Sequence, residues 1–198
     1  KENYRVPLEA RFGEAHRFTP LTKQPKLDLT GDWAVQFDPG TANAYPALAE
    51  FKQIQNHLSG TFRTETGDFR FLEGSIQANK IYLSSFDGGH AYLFEGKIQD
   101  DGTIQGIFRS GSHYLGYWEG KKDDAYSLAN PDSLTMPANR DETVVFSFPD
   151  INGQLVSSFD SAYVGKPMII QIMGTWCPNC LDETIFLQEY FAKNPDNE

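Results

Sequence analysis

Between residues 30 and 122, apolar and polar positions alternate in short runs. Trp33, Val35 and Phe37 fall on one side of an extended chain, with Gln36 and Asp38 on the other. Phe69 and Phe71 flank Arg70, and Ile104 and Phe108 lie opposite Gln105 and Arg109. A period of two marks strands with one buried and one wet face. Turn residues punctuate these runs at Thr66-Gly67-Asp68, Asn79, Asp87-Gly88-Gly89, Asp101-Gly102, Gly111-Ser112 and Gly120. A spacing of roughly 8–14 residues between turns is that of an antiparallel meander or barrel. About eight strands are predicted, enough to close a sheet and remove its edges. Pro46–Asn56 is ambiguous, because Leu48, Phe51, Ile54 and Gln55 suit helical spacing about as well as extended spacing.

The style changes downstream. Residues 123–142 are polar and proline-punctuated (Asn130-Pro131-Asp132-Ser133, Met136-Pro137-Ala138-Asn139) and have the composition of a linker. Thr143–Phe148 is a short β run, and Asn152-Gly153 signals a hairpin returning through Leu155 and Val156. Met168–Met173 is a nearly continuous apolar stretch and predicts a strand buried on both faces. Cys177-Pro178 opens a helix that Asn194-Pro195 ends, with Cys180, Thr184, Leu187 and Phe191 on one stripe and Leu181 and Ile185 widening it. Asp182 and Glu183 lie towards its N-terminus, where the helix dipole favours acids. The expected organisation is an N-terminal extension (1–29), an antiparallel β-barrel (30–122), a linker (123–142) and a C-terminal α/β domain (143–198).

Composition narrows the function classes. The chain has 198 residues, 39% apolar and 22% charged, as in a folded protein. Lys+Arg minus Asp+Glu is 17 − 27 = −10, which argues against nucleic acid and anionic lipid as partners. No apolar stretch is long enough to span a bilayer. The chain shows no signal peptide and does not begin with Met, so it reads as a processed product. Only two cysteines are present, Cys177 and Cys180, which excludes a disulfide-stapled scaffold and a four-cysteine zinc site.

Those cysteines carry the chemistry. A buried strand, a tight loop, Cys-x-x-Cys and a helix place the first thiol where backbone N–H groups stabilise its thiolate. Cys177 would attack a substrate disulfide, and Cys180, one turn on, would resolve the mixed disulfide. Trp176 can shield one side of the nucleophile, and Pro178 and Asn179 tune the potential. The cysteines alone give a metal two ligands, with no histidine within helix reach, so no metal or other cofactor is expected beyond a Cys177–Cys180 redox disulfide.

Phe148-Pro149-Asp150-Ile151-Asn152-Gly153, Gly165-Lys166-Pro167 and Gly174-Thr175-Trp176-Cys177-Pro178-Asn179-Cys180-Leu181-Asp182-Glu183 resemble the opening of a TlpA-like thiol–disulfide oxidoreductase of the thioredoxin superfamily. The resemblance covers about residues 143–193. It implies the N-terminal part of a thioredoxin fold, with Glu183 matching an acid near the family's active site that influences cysteine protonation. The family's proline two positions later is replaced by Ile185, which implies a straighter helix. A complete thioredoxin fold adds strands, helices and a cis-proline loop after this helix, whereas 18 residues follow Cys180 here, so the dithiol is expected without its substrate clamp. The resemblance further implies a periplasmic or otherwise exported setting, disulfide-containing protein substrates and a thiol–disulfide electron donor. An incomplete sheet would favour a homodimer or docking on the barrel. Upstream, Gly31-Asp32-Trp33 is similar to the Gly-x-Trp that opens the first strand of lipocalins, with Lys121 or Lys122 as the basic partner of the tryptophan.

Other residues support rival functions. His16, His57, His90 and His113 lie in the β region, with Asp87 near His90, and could serve acid–base or metal chemistry at a barrel mouth. Phe69, Phe71, Tyr82, Phe86, Tyr92 and Phe94 could line a ligand cavity or simply form core. The alternatives to a thiol–disulfide oxidoreductase are therefore a ligand- or protein-binding barrel with an inactive redox piece, and a peroxide-reducing peroxiredoxin relative. The latter's Thr-x-x-Cys is poorly matched, since Thr175 lies two residues before Cys177.

Overall fold

The computed structural model describes Phe12, Phe18, residues 23–134, Met136 and residues 143–195. The chain divides into two compact units, Lys1–Ala129 and Asn130–Glu198. Most of the extension 1–29, including His16, and part of the segment 123–142 fall outside the described residues.

The first unit is a closed antiparallel meander. Its strands are β1 (Gly31–Phe37), β2 (Tyr45–Ile54), β3 (His57–Thr64), the two-residue β4 (Gly67–Asp68), β5 (Leu72–Gln77), β6 (Lys80–Phe86), β7 (Ala91–Ile98), β8 (Ile104–Ser110) and β9 (Tyr114–Lys122). Eight strands succeed one another around the barrel; β1 pairs with both β2 and β9, β2 pairs with β3, and β4 adds only to β3. Closure leaves no main strand with an unpaired edge. Pro46–Ile54 resolves as strand and Gln55-Asn56 as the turn after it, because β2 is flanked on both sides and its Ala47, Ala49 and Phe51 face inward.

Side chains fill the interior. Trp33, Val35 and Phe37 point inward as their alternation predicts, as do Ile104 and Phe108. The rings of Phe37, Phe62, Phe94 and Phe108 pack together, with Phe62–Phe94 at 4.6 Å and Phe94–Phe108 at 4.5 Å between centroids. Each such side chain contributes about 1.5–3 kcal/mol by leaving water. Trp118 needs space that only glycine leaves: a Cβ on Gly106 would meet its Cε2 at 2.5 Å, and one on Gly96 its Cζ2 at 2.9 Å. Gly120, expected at a turn, lies inside β9. Glycines within a strand here mark close side-chain approach rather than a chain reversal.

The expected pairing of Phe69 and Phe71 on one face is not seen. Arg70 takes a left-handed φ of 44°, which breaks the alternation. Phe69 packs on the core while Phe71 is 86% exposed. Of the other aromatics, Phe94 is core, Phe86 is exposed, and Tyr82 and Tyr92 are half-buried.

One barrel end is sealed by the chain that precedes β1. Leu29 is fully buried, and its carbonyl accepts the Trp33 indole N–H at 2.9 Å. Asn56 Nδ2 donates to the carbonyls of Lys23 and Ile76, both at 2.7 Å. Lys122 lies opposite Trp33 in the β1–β9 register, and its ammonium donates to the Thr30 carbonyl at 2.6 Å.

The second unit is sparse. A hairpin pairs β10 (Ser147–Pro149) with β11 (Leu155–Ser157), and one helix, α1, runs Pro178–Lys193. The described residues do not build a thioredoxin fold. Met168–Met173 is not a strand; it is chain without ladder partners, and Ile172 is 94% exposed. A strand buried on both faces requires neighbours on both edges, and among the described residues nothing supplies them. No helix among these residues is long and apolar enough to cross a membrane.

Candidate functional site

The hairpin turn is organised by one carboxylate. Asp150 Oδ1 accepts the N–H groups of Asn152 and Gln154, each at 2.8 Å, and Gly153 takes the positive φ (82°) that closes the turn. The N–H bonds from Gln154 and Asn152 hold the Asp150 carboxyl below its ordinary value. The hairpin therefore forms where Asn152-Gly153 predicts it.

The helix start is organised by a cysteine. Cys177 has extended backbone (φ −99°, ψ 108°) and is the N-cap of α1, with Pro178 in the first helical position. Proline suits that position because its missing N–H would have no partner there. Cys177 Sγ accepts the Cys180 N–H at 3.3 Å, doing with sulfur what a Ser or Asp oxygen does at an ordinary cap. Cys177 and Cys180 lie at disulfide distance, with Cα atoms 5.3 Å apart. Both are half-buried.

The other expected site residues are placed differently. Trp176 is 73% exposed, with its indole lying against Gly174, where a Cβ would meet Cε2 at 2.7 Å. Asp182 and Glu183 lie beyond the first turn of α1, which holds no acid. Glu183 is exposed rather than buried. The helix stripe of Cys180, Thr184 and Leu187 is only half-buried, and no residue of α1 is fully buried.

One participant escapes the sequence pattern. Gln171 sits in the apolar stretch, and its side chain ties that segment to α1. Its Nε2 donates to Cys180 O at 3.1 Å and to Glu183 Oε2 at 3.0 Å, while its Oε1 accepts from Thr184 Oγ1 at 2.9 Å. The available signal was a lone amide among Met and Ile, a polar group that needs partners if it is to be covered.

His57 and His90 lie at opposite ends of the barrel. His57 Nε2 meets Glu73 Oε1 at 2.8 Å near the sealed end, whereas His90 Nδ1 meets Asp87 Oδ2 at 3.0 Å at the opposite end. Among the described residues, no three His, Cys, Asp or Glu side chains are grouped to hold a metal ion. The chemistry available to the second unit is therefore that of two neighbouring sulfurs at a helix N-terminus. No protein-family model, curated protein or solved structure matches this chain.

Proposed function

We propose that the chain is a thiol–disulfide oxidoreductase of the TlpA-like, thioredoxin-superfamily type, acting through Cys177 and Cys180 on disulfides of exported proteins in an oxidising envelope compartment. The observation that carries this is the cap: Cys177 Sγ receives a helix N-terminal N–H and lies at disulfide distance from Cys180. In the reduced form, such a position favours the thiolate. The Cys177 thiolate attacks one substrate sulfur, a Cys177–substrate disulfide forms, and the substrate S–S bond breaks. The departing substrate thiolate takes up a proton. The Cys180 thiolate, its proton released to solvent, then attacks Cys177 Sγ and frees the second substrate sulfur, which is also protonated. Two electrons pass from the dithiol to the substrate, and a separate dithiol donor returns them. Glu183 is the proposed acid beside this exchange; it shares the Gln171 amide with the backbone carbonyl of Cys180.

The barrel is proposed, on separate grounds, to be lipocalin-like. Support comes from the eight-strand meander and from Lys122 facing Trp33 across the β1–β9 register.

The test uses the whole chain after reduction. Iodoacetamide should label Cys177 before Cys180 at neutral pH, Cys177→Ser should abolish insulin-disulfide reduction, and Cys180→Ser should accumulate a mixed disulfide visible by mass spectrometry. Glu183→Gln should move the pH dependence of labelling without abolishing it. Labelling of Cys180 first, or full reductase activity in Cys177→Ser, overturns the assignment.

A further inference from the structure

Cys177 is held from two directions. Its N–H donates to the Gly174 carbonyl at 3.0 Å, and its own carbonyl accepts the Leu181 N–H at 3.2 Å, so it is pinned between the loop before it and the helix after it. That loop leaves the segment Met168–Met173, which has no ladder to hold it in place. Side-chain bonds fasten the segment to α1, and three of them end on Gln171. A weaker contact joins Thr184 Oγ1 to Met173 Sδ at 3.8 Å.

The Gln171 amide is used at both ends. Its Nε2 gives one hydrogen to Cys180 O at 3.1 Å and one to Glu183 Oε2 at 3.0 Å. The Thr184 hydroxyl lies 2.9 Å from Gln171 Oε1 and 2.8 Å from Cys180 O, and its single proton can serve either. The amide has one workable orientation. Turned over, its oxygen would face a carbonyl and a carboxylate, and neither offers a hydrogen. Gln171, Cys180 and Thr184 are all half-buried, so water competes only in part for these bonds. The tie joins positions nine residues apart, and Cys177 lies inside the loop that it closes. Fixing the ends of a loop removes freedom from the residues between them. The tie is made with the two cysteines at disulfide distance, so it favours their joined form.

We infer that Gln171 is the positioning residue of the dithiol: it ties the segment before Cys177 to the helix that carries Cys180, and so favours the Cys177–Cys180 disulfide over the reduced pair. The inference rests on the reading of Cys177 and Cys180 as an exchanging dithiol. Gln171 acts through the Cys180 carbonyl and α1, and it takes no proton from either sulfur. A leucine would suit the apolar run but offers no hydrogen bond. An ionised glutamate has the length but gives no hydrogen, and it sets a second negative charge against Glu183.

Equilibration of the whole chain with glutathione at pH 7 tests this. The dithiol and one glutathione disulfide give the Cys177–Cys180 disulfide and two glutathiones, and alkylation followed by mass spectrometry reads the ratio. Gln171→Leu should lower the equilibrium constant for closure about tenfold, equivalent to ~30 mV for a two-electron couple. Gln171→Glu, which keeps the shape, should lower it at least as far. The exchange variant Gln171→Glu/Glu183→Gln, in which residue 183 supplies the amide hydrogen, should return to within about threefold of the native constant, because the two sites are coupled. Far-ultraviolet circular dichroism confirms that each variant keeps its fold. Constants within about twofold of native in folded Gln171→Leu and Gln171→Glu proteins overturn the inference, as does an exchange variant no better than Gln171→Glu alone. Insulin-disulfide reduction on the same samples keeps the two readings apart. A native chain that fails to reduce insulin, while Gln171→Leu shifts the glutathione equilibrium, overturns the enzyme and supports the tie. An active native chain with unshifted Gln171 variants overturns the tie alone.

Discussion

The barrel and the dithiol unit use similar raw material to opposite effect. In the barrel, an apolar residue such as Ile104 belongs to a strand with a neighbour on each side and reaches a core of stacked rings. In the second unit, Ile169, Ile170 and Ile172 are as apolar, yet all three are exposed and carry no ladder. Hydrophobicity states a preference for burial; only pairing partners turn it into structure. What order the second unit has is local: a carboxylate-capped turn, a cysteine-capped helix and a glutamine between segment and helix.

The most severe test of that contrast is to disturb the barrel where it is tightest. Trp118→Ala should cost about 3–5 kcal/mol, and Gly106→Val, which drives a side chain into the Trp118 indole, about 3 kcal/mol. Both are measured as lowered denaturation midpoints. A matched aliphatic pair sharpens the point: Leu29→Ala should cost about 2–5 kcal/mol, whereas Ile172→Ala should stay within about 0.5 kcal/mol. Equal costs would mean that Ile172 is covered in the folded protein.

Proteolysis compares the units directly. Limited digestion should cut within residues 123–142 first and leave a resistant β-rich fragment, with the 143–195 region degraded faster. Cutting throughout 30–122 would contradict the closed sheet.

Titration separates them more finely. The folded barrel holds the protons of Tyr45, Tyr92 and Tyr114 at a pH where the unfolded chain releases them. Unfolding then releases protons, so this stabilisation is complete below the ordinary tyrosine range and falls as pH rises through the raised folded values. The barrel midpoint should drop on moving from neutral pH to above pH ~10, and Tyr45→Phe should reduce the drop. Asp150 has the opposite sign, since its depressed folded value supports the hairpin at neutral pH and the support fades as pH falls through that value. The smallest effect expected is from Asp150→Asn, seen as faster amide exchange at Asn152 and Gln154 with no change in the barrel.

The two units also differ in what their sequences disclose. Alternation at Trp33-Val35-Phe37 is readable because a strand with one wet face writes its own period. The α1 boundaries are readable because Cys177, Pro178 and Asn194 act within one turn of the helix ends. Gly120 misleads because glycine serves turns and crowded strand interiors alike, and only the position of the Trp118 ring separates them. Phe71 misleads because one left-handed residue, Arg70, inverts the facing of its C-terminal neighbour. The dithiol is legible as a motif, but the exposure of Trp176 and Glu183 is not, since burial depends on packing that a motif does not encode. Gln171 shows locally only as a lone amide in an apolar run; what it binds is not legible, because Glu183 and Thr184 lie 12 and 13 residues away.

The seam between β1 and β9 has a consequence for how the protein is made. Neighbouring strands elsewhere are mostly hairpins that can zip within about 1–10 microseconds of leaving the ribosome. Trp33 must instead wait for Lys122, and Asp32, whose N–H bonds Asp124 Oδ1, for a residue 92 positions later. Such a distant pairing is slow to find, so during synthesis the nascent chain passes through an open sheet with β1 at its rim. The barrel closes only when most of the chain before the cysteines has already been translated.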